Sequence, residues 1–150
     1  MKLERYPYYS DPSFIDFEFE SVGRKGSIRK IARFHLINAN LYSFGFGDLD
    51  ETTGKINDIV VSNNGDGDKI LATVAKIIHD FTFVFQDAAI FIEGSTPVRT
   101  RWYQMNINAY WADIGQLFDI YGSLSGEWEP FKSGVNYEAF LGKRKANSHK

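Results

Sequence analysis

The sequence predicts an α+β fold, with a mainly antiparallel sheet of about five to seven strands and two helices packed on one face. In the first half of the 150-residue chain, apolar and charged side chains alternate, a period typical of half-buried strands. From Asp68 onward, apolar residues recur at three- and four-residue steps, which indicates a helix buried along one side. The predicted order of elements is ββββαβαβ.

Four strands are predicted ahead of the first helix. Residues 14–20 alternate apolar and acidic side chains, whereas residues 27–37 mix apolar and basic ones. These two strands are expected to pair with opposite charges facing each other. Residues 41–47, rich in aromatic residues and glycine, form the third strand. A turn over residues 48–55 leads to the fourth strand at residues 56–62.

Two helices and two further strands follow. The Asn, Gly and Asp residues at positions 63–68 end the fourth strand and start the first helix. The apolar stripe of that helix consists of Ile70, Leu71, Val74, Ile77, Ile78, Phe81 and Phe85. A fifth strand covers residues 88–93. The second helix begins at Pro97 and continues to about residue 118, and a last short strand lies near residues 137–141.

The composition fits one globular domain over residues 1–145, followed by a frayed basic tail at 146–150. A net charge of −2 disfavours broad attraction to nucleic acid or to an anionic membrane. The chain contains no cysteine, which excludes disulfides and thiolate metal sites. The first residues lack the apolar region of a signal peptide, and no apolar run reaches transmembrane length. We therefore expect a soluble, cytoplasmic protein that does not contact a membrane.

The clearest candidate site is the predicted start of the second helix. Thr96 is its expected N-cap, and Pro97 suits the first helical position because its missing N–H costs nothing there. Helix starts usually favour acidic residues, yet Arg99 and Arg101 occupy the first two turns here. A cation beside a positive helix end is favourable when an anion lies between them. We predict an anion site formed by the amides of Ser95 and Thr96 with the two arginines.

Two asparagines complete this predicted site. If strands 56–62 and 88–93 join one sheet in parallel, their carboxyl ends share an edge, where ligands of open α/β sheets bind. Asn63 and Asn64 would then lie opposite the helix start. The alternative is that residues 94–97 are ordinary capping chemistry and that the arginines pair with Glu93 or another acid.

No metal or cofactor site is predicted. Asp48, Asp50, Glu51 and Asp58 surround a turn, but their spacing does not match a calcium-binding EF-hand loop. The three histidines, His35, His79 and His149, have neither metal-ligand spacing nor a neighbouring serine motif. Catalytic residues stay unassigned.

Several segments resemble an uncharacterised family of small bacterial proteins, of Bacteroidetes type, classed as a domain of unknown function. These segments are residues 60–66, 70–74, 94–96, 99–101, 103–105, 126–131 and 136–140. The resemblance covers nearly the whole chain and implies a cytoplasmic, single-domain α+β protein. It implies no activity and no catalytic residue.

Three functions are compatible with these patterns. The first is a binding module for an anionic, phosphate-bearing ligand at the helix start. The second is a protein-interaction module, a homodimer or a partner of an operon neighbour, suggested by Trp102, Trp111 and Trp128. The third, ranked last because no nucleophile is apparent, is a phosphoester-acting enzyme with Arg99 stabilising charge and Asp66 or Glu93 as base.

Overall fold

The computed structural model describes residues 4–57 and 64–145. Three predicted features fall outside these ranges: residues 58–62 of the fourth strand, Asn63 and the tail at 146–150. Within the described residues, three helices accompany a nine-stranded, mostly antiparallel sheet. The α+β class is confirmed, although the sheet has more strands, and the chain one more helix, than the sequence predicted.

The elements divide between two compact units. Unit 1 takes the described residues through His35 together with Gly45–Val84, and unit 2 takes Leu36–Phe44 together with the described residues from Phe85 onward. The strands are β1 (Tyr9–Ser10), β2 (Asp16–Gly23), β3 (Gly26–Asn38), β4 (Leu41–Leu49), β5 (Ile56–Asn57), β6 (Ala89–Ile92), β7 (Phe118–Leu124), β8 (Glu127–Pro130) and β9 (Ala139–Arg144). The helices are α1 (Gly67–Val84), α2 (Pro97–Ala109) and α3 (Trp111–Leu117).

In unit 1, strands β1, β2 and β3 pair antiparallel in that order. The alternating pattern predicted the charge pairing across β2 and β3. Arg33 Nε lies 2.8 Å from Asp16 Oδ1, and Arg29 reaches Glu18 and Glu20 at 3.9 and 3.8 Å. These pairs are largely exposed, so each adds only about 0–1 kcal/mol to stability. These ion pairs therefore matter more for the pairing register of β2 and β3 than for the stability of the fold.

The core of unit 1 is aromatic. Five of the predicted stripe residues on α1 are buried: Ile70, Leu71, Val74, Ile77 and Phe81. The Phe81 ring stacks on Phe34 of β3, with ring centroids 3.8 Å apart and planes within 4°. The 3.6-residue period of the sequence therefore predicted correctly which side of the first helix is buried.

A tyrosine hydroxyl covers part of the free edge of β2. The Tyr6 hydroxyl accepts the Val22 N–H at 3.0 Å and lies 2.5 Å from Asp66 Oδ2. Asp66 Oδ2 also accepts the Ser21 hydroxyl at 2.6 Å. Burial raises the pKa of Tyr6 above its usual value, and the hydrogen bond to Asp66 raises it further. One phenol thus satisfies strand-edge groups that a neighbouring strand would otherwise bind.

Tyr6→Phe is expected to destabilise the protein by about 1–3 kcal/mol. The Val22 N–H and the Asp66 carboxylate each lose their hydrogen bond to the Tyr6 hydroxyl, and both groups are partly buried. The melting temperature should fall by roughly 2–4 °C for each kcal/mol lost. Tyr9→Phe is the matched control, since Tyr9 is 76% exposed. Equal melting temperatures for the two variants would show that the Tyr6 hydroxyl has no stabilising role.

In unit 2, the strand order is β4, β6, β9, β7 and β8. Residues 41–44 of β4 run parallel to β6, and the other pairs are antiparallel. The predicted placement of Asn63 and Asn64 at the anion site assumed that the strand beginning at Ile56 is parallel to β6. That expectation is wrong for the described part of the strand, because β5 pairs antiparallel with β4 and the sides of β6 are occupied by β4 and β9.

The predicted second helix is in fact two helices. Helix α2 ends at Ala109, Tyr110 leaves helical geometry at φ −117° and ψ 25°, and α3 begins at Trp111. The hairpin of β7 and β8 was not predicted from the sequence. Its connection, Ser125 and Gly126, has positive φ at both residues, the geometry of a type I′ turn. A serine–glycine pair between two short runs was the signal that could have found it.

Candidate functional site

The start of α2 is built as the sequence predicted. Thr96 is the N-cap, with extended φ and ψ, and its Oγ1 accepts the Arg99 N–H at 3.2 Å. Pro97 occupies the first helical position. The Thr100 N–H donates to the Thr96 carbonyl at 3.0 Å. The first turn contains no acidic side chain, so its partial positive charge is not offset from within the helix.

Gly94 allows the chain leaving β6 to lie directly against this first turn. Its N–H donates to the Thr100 Oγ1 at 3.0 Å. A Cβ at this position would lie 2.3 Å from the Thr100 backbone nitrogen. Any residue larger than glycine would therefore have to push the helix start away from the end of the strand.

Beside this junction, unit 2 contains a cleft of about 350 Å³. Three segments line it: residues 93–97 after β6, the first turns of α2 at Thr100, Arg101 and Gln104, and residues 136–138 before β9. Its volume is within the range of small-molecule sites. Of the residues predicted for an anion site, Ser95, Thr96 and Arg101 line this one cleft.

Gln104 brings a buried, unsatisfied donor to the cleft lining. It is 5% exposed, and its Oε1 accepts the Tyr137 N–H at 3.3 Å. Its Nε2 is buried and has no hydrogen-bond partner among the described residues. A buried donor without an acceptor costs about 1–3 kcal/mol, so such groups are rare in stable folds. Gln104 was not predicted from the sequence, because its contact with Tyr137 joins residues that are far apart in the chain.

Tyr137 holds the opposite wall of the cleft. Its hydroxyl donates to Glu129 Oε2 at 2.7 Å and accepts the Lys132 N–H at 3.0 Å. Burial raises the pKa of Tyr137 above its usual value, and the hydrogen bond to Glu129 raises it further. The tyrosine is therefore fixed at both its backbone and its hydroxyl, which gives Gln104 a rigid neighbour.

The two predicted arginines have different environments. Arg101 is exposed at the cleft and forms no hydrogen bond or ion pair with any described residue, Glu93 included. Arg99 is 8% exposed, and its guanidinium carbon lies 5.6 Å from the centroid of the Trp102 ring. Arg99 is not among the cleft-lining residues. The charge available to a ligand in the cleft is therefore that of Arg101.

Asn64 has a structural role in unit 1. Its Oδ1 accepts the Lys25 N–H at 2.6 Å, and its Nδ2 donates to Ser21 Oγ at 3.1 Å and to the Gly26 carbonyl at 3.0 Å. Both ends of this buried amide are thus engaged with the turn between β2 and β3. Asn63, its predicted companion in the anion site, lies outside the described residues.

Acidic side chains also border the cleft. Glu93 and Glu138 both line it, and Glu138 Oε1 accepts the Ser125 N–H at 2.7 Å. Across residues 4–57 and 64–145, no group of three or more His, Asp or Glu side chains is placed to hold a metal ion. The cleft thus offers mixed charge and several hydrogen-bonding groups.

The fold and the cleft define a small α+β protein with a polar cleft of mixed charge at the start of a helix. The chain belongs to DUF6934, a family of unknown function, which matches residues 2–145. The sequence-based prediction of an uncharacterised family is confirmed to that extent. No curated protein and no solved structure matches the chain with significant similarity. Among the described helices, none is both long enough and apolar enough to cross a membrane.

Proposed function

We propose that this protein is a small binding module, and that its cleft at the start of α2 takes the anionic group of a small ligand. The observation that carries the proposal is the buried Nε2 of Gln104, in the wall of a cleft that also contains the guanidinium of Arg101. Within residues 4–57 and 64–145, neither group has a hydrogen-bond partner. A ligand oxygen near Gln104 would remove the cost of that unmade bond. The cytoplasmic location and the bacterial, Bacteroidetes-type origin remain predictions.

Three sources of positive potential support an anion here. Arg101 supplies a full charge on the cleft side of α2. The helix start adds a partial charge of roughly +0.5, and no acidic residue of the first turn offsets it. At the same helix start, the Thr96 N–H forms no hydrogen bond with the described residues, and Thr96 lines the cleft. Gln104 follows Arg101 by three residues, so both side chains face the same side of the helix.

Arg101→Gln is expected to weaken anion binding at least about tenfold, because it removes a charged donor from the cleft. The measurement is a thermal-shift screen with phosphate, sulfate, nucleotides and carboxylates, followed by calorimetric titration. A ligand at about 100 times its dissociation constant stabilises the folded state by about 2.7 kcal/mol. For a chain of this length, that corresponds to a shift of roughly 5–10 °C.

Arg24→Gln is the control for this variant, because Arg24 is an exposed arginine of unit 1. It should bind as the unaltered protein does. If neither an anion nor an amino acid shifts the melting temperature, or if Arg101→Gln and Arg24→Gln bind equally well, the cleft does not bind the anionic group of a ligand.

A second candidate function is protein interaction, and the exposed side of α2 favours it. Val98 and Met105 are 68% and 61% exposed, and the half-buried Trp102 lies between them at helical spacing. Apolar side chains grouped on a surface commonly mark an interface. Sedimentation at micromolar concentration tests the homodimer form, and a clean monomer would count against it.

Of the three residues suggested for a phosphoester-acting enzyme, only Glu93 lines the cleft. Asp66 Oδ2 is engaged by the hydroxyls of Tyr6 and Ser21 in unit 1. Arg99, the expected charge stabiliser, is buried in unit 2 outside the cleft lining. We therefore do not propose this activity.

A further inference from the structure

The charges of the cleft favour one class of anionic ligand over another. Three formally charged side chains line it, namely the cation Arg101 and the carboxylates of Glu93 and Glu138. Their formal sum is +1 − 2 = −1, which the helix start offsets by only roughly half a charge. A phosphate dianion would therefore enter a cleft that is already slightly negative. A ligand that carries one negative and one positive group has no net charge, so the negative charge of the cleft would not repel it.

We infer that the ligand of this cleft is an amino-carboxylate, namely a free α-amino acid. This inference rests on the proposed function and names its ligand class. The ligand carboxylate binds at Arg101 and the start of α2. The ligand ammonium group binds at Glu93 and Glu138, which supply acceptors on the neighbouring segments of the wall.

The uncharged groups fit the same ligand class. Gln104 holds the Tyr137 N–H through its Oε1, which leaves Nε2 as a donor beside the segment that contains Glu138. Nε2 has less than 1 Å² of accessible surface, so a ligand oxygen bonds to it only if the Gln104 side chain or its surroundings shift. The carboxamide of Asn136 is exposed at the cleft and makes no hydrogen bond with described residues, so it offers both a donor and an acceptor.

The size of the cleft agrees with this assignment. A volume of about 350 Å³ is at the small end of ligand sites. It suits a ligand of amino-acid or dipeptide size better than a dinucleotide. Tyr137 and Pro97 supply the apolar part of the lining against which the carbon atoms of such a ligand can pack.

The test compares ligands that differ by one charge. Common L-α-amino acids are titrated singly by calorimetry, each beside its N-acetyl derivative, which lacks the positive charge, and its carboxamide, which lacks the negative one. Inorganic phosphate is titrated in the same series. At least one amino acid should bind, and both of its derivatives should bind at least about tenfold more weakly, since each loses a charge-assisted bond.

Variants of the protein test which side chain binds the ammonium group of the ligand and which binds its carboxylate. Glu138→Gln keeps an oxygen for the Ser125 N–H, and should weaken the amino acid about tenfold without weakening its N-acetyl derivative. Arg101→Gln should weaken both. Glu127→Gln is the control, because Glu127 is an exposed carboxylate of β8 outside the cleft lining.

The outcomes separate the two proposals. If phosphate binds in an Arg101-dependent way and no amino acid does, the amino-carboxylate inference is wrong and the anion site stands. Tightening of phosphate in Glu138→Gln would support that result. If neither an amino acid nor any anion of the thermal-shift screen binds, the anion site itself is wrong. Equal binding of an amino acid and its N-acetyl derivative would also overturn the inference, because it would show that the ammonium group has no acceptor in the cleft.

Discussion

Gly94→Ala is expected to destabilise the protein by about 2–3 kcal/mol and to abolish ligand binding in the cleft. The added Cβ would lie 2.3 Å from the Thr100 nitrogen and 2.7 Å from the Arg99 carbonyl carbon. Both are backbone atoms, so rotation of a side chain cannot relieve the clash. The start of α2 has to shift away from the end of β6, and the Gly94 bond to Thr100 Oγ1 is strained or lost with it.

The measurement is thermal unfolding combined with the titrations described above. Gly67→Ala is the matched control, because a Cβ at the first residue of α1 meets nothing within 4 Å. That control is expected to be neutral or to stabilise by up to about 1 kcal/mol, through the reduced entropy of the unfolded chain. A Gly94→Ala protein that melts and binds normally would contradict the close approach on which the site depends.

Phe81→Ala is expected to cost about 3–5 kcal/mol, because it removes a large ring from the centre of unit 1. Phe81 is fully buried and stacks on Phe34, which is itself fully buried. Truncation removes the apolar area of the ring and leaves a cavity, and the facing ring loses its stacking partner. Since domains of this size are typically stable by only about 5–15 kcal/mol, the loss is a large share of the total.

Chemical denaturation followed by fluorescence and circular dichroism measures this effect. Phe83→Ala is the control on the same helix, because Phe83 is 56% exposed. It should change the free energy of unfolding by less than about 0.5 kcal/mol. Similar losses for the two variants would mean that the side of α1 carrying Phe81 is not the one that is buried.

Much of unit 1 was predictable because the signals are local. Alternation over residues 14–20 and 27–37 indicated a charged strand pair, and the structure places Asp16 against Arg33 and Glu20 against Arg29 in the β2–β3 register.

In unit 2, the helix start at Thr96 and Pro97 was predictable for the same reason, because a helix start depends on a few consecutive residues.

The candidate site was only half predictable. Arg99 and Arg101 are equivalent in the sequence, but two residues on a helix rotate by about 200°, so their side chains leave the axis in nearly opposite directions. Arg101 therefore reaches the cleft, whereas Arg99 is buried beside Trp102. The packing around α2 decides which of the two arginines faces the cleft. Short-range sequence patterns do not contain that information.

The sequence by itself determined the α+β class, the buried side of α1 and the capped start of α2, because periodicity and capping are properties of neighbouring residues. Tertiary structure alone decided that β4 is the parallel partner of β6, that the second helix breaks at Tyr110, and that Gln104 meets the backbone of Tyr137. These features join residues more than thirty positions apart, or depend on packing around a helix whose own pattern continues past the break. Their energies come from contacts that form only when the chain is folded.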